Sequence, residues 1–242
     1  MRKRIALTPD ATRCSTCMLN AICLPLGMSR NDVLVMDELI KERVRLAKGA
    51  ALYSLGDPVE AIYGIRYGSL KTQVQNASGQ MQVTGFLLPG EVVGLDSLSD
   101  ERHGSHAISL EDSEVCVIHL DEMDELAPRL PVLQTQLRRL MGKEITRSHQ
   151  LVMTLGSLRS EQRLAAFLLN LSQRLSTLGY SPHEFLLRMS RQEIGNFLGL
   201  TLETVSRLFS RFARDGLIRV QQREVQILDM DALRVLSGTD CG

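Results

Sequence analysis

Apolar positions recur along this chain with different periods, and the changes of period divide it. Over residues 48–120, short runs of Val, Ile, Tyr and Leu alternate with turn signals at Lys48-Gly49, Gly56-Asp57, Tyr67-Gly68, Ser78-Gly79, Pro89-Gly90 and His103-Gly104. Turns spaced by roughly ten residues predict an antiparallel sandwich or barrel without long helices. Residues 31–45, just before it, have the pattern of a short amphipathic helix. Over residues 121–156 the period becomes helical. Leu133, Leu137, Leu140, Met141, Ile145, Val152 and Leu155 form a stripe close to heptad spacing, beside Arg138, Arg139, Lys143 and Arg147. A long helix with such a seam needs a partner. That partner is the chain's own sandwich or, as the better fit to the seam, a second copy in a parallel dimer.

The last third is predicted helical first. Residues 161–178 carry Leu164, Phe167, Leu168 and Leu171 on one face. Residues 188–212 then read RMSRQEIGNFLGLTLETVSRLFSRF. Ser190 and Glu193 make a capping box, Ile194, Phe197 and Leu198 continue the helix, and Gly199 stops it. Thr201 caps a second helix. Val205, Leu208, Phe209 and Phe212 share its apolar face, while Glu203, Ser206, Arg207 and Ser210 share the opposite one. This is the layout of a helix-turn-helix, whose second helix enters the major groove. Arg207 can fork onto guanine O6/N7 and Glu203 can accept from cytosine N4. Ser190, Thr201 and Arg211 complete the candidate DNA-binding set. Residues 217–220 and 224–228 predict a small hairpin, a wing, and residues 231–236 a closing helical turn.

Composition narrows the picture. The chain has 242 residues, 44% of them hydrophobic, with 28 Lys and Arg against 28 Asp and Glu. Zero net charge excludes a protein that coats nucleic acid through bulk charge. DNA contact has to come from a local patch, here Arg207, Arg211, Arg214, Arg219 and Arg223. The first residues are basic, but no apolar run follows, so no signal peptide is read there. No stretch approaches the ~20 apolar residues of a membrane span. A cytoplasmic protein is expected, and five cysteines there point to ligands or redox centres rather than structural disulfides. Three of them lie in RCSTCMLNAICLP, residues 13–25, as Cys14, Cys17 and Cys23. Cys116 falls in the last expected strand, and Cys241 sits in a polar tail.

The order of cysteine cluster, β-roll, long helix and winged helix resembles the Crp/Fnr superfamily of bacterial regulators, and more closely its fumarate–nitrate reduction regulator (FNR) branch of oxygen sensors. The segments that carry the resemblance are residues 14–25; Thr84-Gly85-Phe86 with Pro89-Gly90 and Val93-Gly94; RLAAF at residues 163–167; and IGNFLGLTLETVSR at residues 194–207. It implies an α+β chain: a cysteine-rich arm (1–30), an antiparallel, jelly-roll, cyclic-nucleotide-binding-like β-roll sensor domain (31–120), a dimerisation helix (121–156) and a winged helix-turn-helix (157–242). It implies a 4Fe-4S cluster on Cys14, Cys17, Cys23 and Cys116, with Met18 and Ile22 nearby as shielding candidates. Glu203, Ser206 and Arg207 stand where the family's Glu-x-x-Ser-Arg core reads TTGAT, so a target like TTGAT-N4-ATCAA is implied. A homodimer joined through Leu137, Leu140, Met141, Ile145, Ser148 and Val152 is expected, as is contact with RNA polymerase, for which the turn at residues 76–79 is the candidate surface. The chain departs from better-known oxygen sensors at Ser148, where they carry an aspartate. That departure implies a dimer less dependent on the cluster.

Other readings remain at this point. Four cysteines also make a structural zinc site, in a DNA-binding or adaptor protein. Cys14 and Cys17 could form a metal-free dithiol switch, and Cys116 could be a buried strand cysteine. Nitric oxide or a small effector could be the signal. Pro89-Gly90-Glu91 resembles part of a cyclic-nucleotide phosphate cassette, but Gly104-Ser105-His106-Ala107 lacks the arginine that would pair with the phosphate. Haem would have to use His103, His106 or His119. The chain has no P-loop, nucleophile elbow, H-E-x-x-H or dinucleotide fingerprint, so no enzyme is expected.

Overall fold

The computed structural model describes residues 2–6 and 13–238, so Cys241 lies outside the described residues. Two compact units, Met1–Arg147 and Ser148–Gly242, divide the chain.

The first unit contains β1 (Arg2–Ala6), α1 (Arg30–Met36), β2 (Glu42–Leu46), β3 (Ala51–Tyr53), β4 (Ala61–Tyr67), β5 (Leu70–Gln75), β6 (Met81–Leu87), β7 (Val92–Val93), β8 (His106–Ser109), β9 (Ser113–His119) and α2 (Leu120–Leu126). The long helix α3 (Pro131–Ser157) begins in it. The strands form two sheets, ordered β1-β2-β9-β4-β7 and β3-β8-β5-β6, with every pairing antiparallel. This is the expected β-roll.

The five-stranded sheet is covered on both faces. Tyr63, Ile65, Val115 and Val117 point into the sandwich with Leu52, Leu70 and Leu87. Ile62 and Ile118 point the other way, against Leu24, Met36, Ile40, Met123 and Leu133. Two covered faces explain why β4 is an unbroken buried run from Ala61 to Ile65 rather than an alternating strand. The arm and the start of α3 form the outer cover.

Two elements differ from expectation. The helix expected over residues 31–45 stops at Met36, and residues 42–46 form a strand instead. Pairing of Arg43 to Leu46 with Cys116 to Ser113 outweighs the local helical pattern. The helical region 121–156 is broken into α2 and α3, with Pro131 as the first residue of α3. Proline fits that first position and cannot continue a preceding helix.

The second unit holds the end of α3, then α4 (Ser160–Thr177), β10 (Glu184–Leu186), α5 (Arg191–Leu198), α6 (Leu202–Arg214), β11 (Ile218–Gln221), β12 (Glu224–Ile227) and α7 (Met230–Ser237). The wing is a three-stranded sheet, β10-β12-β11; its first strand was not expected from the sequence. The core is built from α4 (Leu164, Leu168, Leu171), α5 (Ile194, Leu198) and α6 (Val205, Phe212), all buried. Each fully buried side chain of this size contributes about 1.5–3 kcal/mol.

Candidate functional site

The arm brings its cysteines together by local turns. Cys14–Thr16 is a short 3-10 helix, and Cys17 N donates to Cys14 O at 3.3 Å. Further on, Cys23 N donates to Leu19 O at 2.9 Å. Asp37 anchors the loop from behind. Its carboxylate accepts from Ser15 N at 3.1 Å and from the Ser15 hydroxyl, and its carbonyl accepts from Arg13 Nη1 at 3.2 Å.

The loop lies over the outer face of the five-stranded sheet where β9 presents Cys116. There Cys116 pairs across to Gly64 on one side and Arg43 on the other. Gly64 offers no side chain, and a Cβ on it would lie 3.6 Å from Cys23 Sγ. Cys14, Cys17, Cys23 and Cys116 thus line one cavity of about 40 Å³, walled also by Leu19, Leu24, Ile40, Ile118, Arg43 and Arg66. Among the described residues, no three His, Cys, Asp or Glu side chains stand in preformed metal-binding geometry. The four thiols share a cavity without being pinned to one point.

Burial dominates the chemistry of these thiols. It pushes Cys14 up, reinforced by the neighbouring Cys23 and Cys116. Burial pushes Cys23 up to about 12, against a backbone hydrogen bond from Leu24. Cys116 is also raised by burial, opposed by the charge of Arg43 and a hydrogen bond from it. A thiolate here therefore needs a cationic partner. Met18 and Ile22 do not line the cavity. Met18 is 96% exposed, and Ile22 lies over Gly90. The sequence signal missed Asp37, Arg43 and Arg66, whose relevance depends on tertiary placement.

The other candidate ligands are engaged within the fold. His103 stacks on Tyr53 with ring centroids 3.6 Å apart, His106 Nδ1 accepts from Leu55 N at 3.3 Å, and His119 pairs with Glu42 at 3.2 Å. Where a nucleotide cassette needs an arginine, Ser105 donates to Asp96 at 2.7 Å, and Glu91 is held by Leu88 N and Arg147, each at 2.8 Å.

In the second unit the helix-turn-helix is fixed by its caps. Ser190 and Glu193 form the capping box, so the Ser190 hydroxyl is used locally. Gly199 ends α5 at φ +64°, a conformation that favours glycine. Thr201 caps α6 by accepting from Thr204 N at 3.2 Å. The helices meet at Gly195, where an added Cβ would stand 2.6 Å from Leu200 O. Arg163 bolts this corner, donating to the carbonyls of Leu155, Leu158 and Leu198 at 2.7, 2.9 and 2.9 Å. Arg191 lies over the Phe209 ring at 3.2 Å, its pKa lowered to about 10 by burial.

On α6, Val205, Leu208, Phe209 and Phe212 are buried, and Glu203, Ser206, Arg207 and Ser210 are exposed together. The Glu203 carboxylate is held below its usual range by its own backbone N–H, the Thr201 hydroxyl and the charge of Arg207. Arg207 Nη2 donates to Thr204 Oγ1 at 3.2 Å. Arg211 is bonded to Glu161 and lies 3.5 Å from Asp215, so it stands beside the reading face, not within it.

Of the seam on α3, Leu137 and Leu140 pack partly on the first unit's own core. Met141, Ile145 and Val152 are 43%, 56% and 69% exposed, and Ser148 is exposed between them. No helix of the described residues is long and apolar enough to cross a membrane.

Residues 162–236 match the Crp-like helix-turn-helix domain, and residues 43–129 match the cyclic nucleotide-binding domain. The chain is 62% identical over 240 residues, 99% of either protein, to the transcriptional regulatory protein btr of Bordetella pertussis. It is 44% identical over 229 residues, 95% of this chain and 94% of the relative, to the transcriptional activator protein Anr of Pseudomonas protegens. The structure of FixK2 from Bradyrhizobium japonicum superposes with a TM-score of 0.76 at 26% identity, over 82% of this chain and 98% of FixK2. With a β-roll, a long helix and a winged helix-turn-helix in this order, the chain belongs to the Crp/Fnr family of DNA-binding transcription regulators.

Proposed function

We propose that this protein is an oxygen-responsive regulator of anaerobic or microaerobic gene expression that holds a 4Fe-4S cluster on Cys14, Cys17, Cys23 and Cys116. The observation that carries this reading is that the four cysteines, three from one loop and one from a buried strand, line a single apolar cavity. Four soft thiolate donors without a histidine among them suit an iron–sulfur centre, one ligand for each iron. When bound, the cluster supplies a redox centre that oxygen can attack. The chain's own residues do the rest. Cys116 ties the arm to the sheet, and Asp37 holds the loop that carries Cys14 and Cys17. Buried neutral thiols do not provide the same tie. Relatives named anaerobic regulatory protein, 40% identical in Pasteurella multocida and in Haemophilus influenzae, support the same direction. A free dithiol switch at Cys14 and Cys17 is disfavoured, because burial pushes Cys14 away from the reactive thiolate.

Two copies pair through Met141, Ile145, Ser148 and Val152, and Ser148 puts no carboxylate in that seam. The paired α6 helices read a palindrome like TTGAT-N4-ATCAA: Arg207 forks onto guanine, Glu203 accepts from cytosine, and Ser206 lies between them. The exposed turn at residues 76–79, organised by Asn76 Oδ1 accepting from Ser78 N and Gln80 N, is the surface for RNA polymerase.

Protein purified without oxygen tests this. A visible absorption band that bleaches in air, with about four irons and four sulfides per chain and a parallel loss of operator affinity, is the expected result. A colourless protein that contains zinc or no metal overturns the cluster reading and leaves the DNA-binding one.

A further inference from the structure

The wall of the cysteine cavity carries arginines from the arm and from the sheet. Arg43 stands on β2 directly across from Cys116 on β9, and side chains so paired share a face of the sheet. It is 8% exposed, and it lines the cavity together with Cys116. Glu114, two positions before Cys116 and therefore on the same face, is 2% exposed. Its carboxylate accepts from Arg45 Nε at 2.8 Å and Arg66 Nη1 at 2.9 Å, and lies 3.5 Å from Arg43 Nη1. Arg43 and Arg66 line the cavity, as does Arg13 from the arm, so an apolar chamber holds guanidinium groups beside its sulfurs. Buried charge of that kind fits an anionic occupant.

We propose that Arg43, oriented by Glu114, is a positioning residue that donates to the Cys116 thiolate, balances the cluster's negative charge, and sets its reduction potential and lifetime in air. This rests on the cluster reading above. The sign follows from charge. A cation at the ligand sulfur favours the more reduced, more negative cluster, and hydrogen bonds to sulfur act the same way. Removing it lowers the potential and makes oxidation easier.

The test uses full-length protein purified without oxygen, with iron and sulfide counted before anything else. Arg43→Met removes charge and donor, Arg43→Gln removes charge alone, and Arg43→Lys keeps charge. The expected result is a downward shift of the midpoint potential in Arg43→Met and Arg43→Gln, cluster decay in air several-fold faster than in the parent, and recovery of most of both effects in Arg43→Lys. Unchanged potential and decay in variants with a full complement of iron and sulfide overturn the proposal while leaving the cluster in place. Should Arg43→Met fail to fold, Arg43→Gln against Arg43→Lys gives the same comparison. A parent protein without iron removes the cluster reading itself, and this proposal with it.

Discussion

Arg207 sits one turn into α6, exposed and lightly held by Thr204, so its fork is free to reach a base edge. Arg207→Ala is expected to lose about 1–3 kcal/mol of discrimination at one G·C pair of the operator. Titration of operator and single-site variants reads this, and equal weakening on scrambled DNA would instead make Arg207 a phosphate contact. Its exposed placement was legible because helical spacing alone separates Glu203, Ser206 and Arg207 from Val205 and Phe209. His103 was not legible in that way. In the sequence it is a histidine beside a turn; in the structure it is 2% exposed, flat against Tyr53, with no hydrogen-bond partner for either ring nitrogen among the described residues. Burial pushes its imidazole below the ordinary 6.5, against the opposing charges of Asp96 and Asp57. The folded state thus keeps it neutral where the unfolded chain takes a proton. Its contribution to stability is complete above about 6.5 and falls as pH drops from there toward the lowered folded value. Melting temperatures between about pH 7 and pH 5 should fall more steeply for the parent than for His103→Phe. Identical slopes would count against the account.

Helix α3 shows what periodicity can and cannot say about an element. Its stripe was read from heptad spacing, yet the stripe serves two surfaces. Leu133 is fully buried in the first unit's core, Leu137 and Leu140 are half-buried against it, and only Met141, Ile145 and Val152 are left well exposed. A glutamate at Ile145 should cost the fold little, because that side chain is 56% exposed in a single copy. Ile145→Glu is expected to convert a dimer into a monomer in sedimentation equilibrium with helix content unchanged. A persistent dimer would place the seam elsewhere. The break between α2 and α3 had its signal in Pro128 and Pro131, which local pattern reading passed over. Strands β1 and β10 had no comparable signal. Each is short, and each owes its existence to a distant partner, β2 or β12.

Across the whole chain, the order of β-roll, long helix and winged helix was readable because glycine turns and two helical periods mark its parts. The cysteine site was readable only in halves. The spacing of Cys14, Cys17 and Cys23 marks them as a cluster in one loop, whereas Cys116 joins them through strand register, and so do Arg43, Glu114 and Gly64. Register is set by the packing of both sheet faces, which no local window contains. The same register has a further consequence at the first strand. β1 belongs to the segment that leads into the cysteine loop, and it is the outermost strand of its sheet, lying along β2 from Arg2 opposite Leu46 to Ala6 opposite Glu42. It therefore covers the outer backbone donors and acceptors of β2 and itself carries the edge of the sheet among the described residues, the kind of row on which strands of other molecules add.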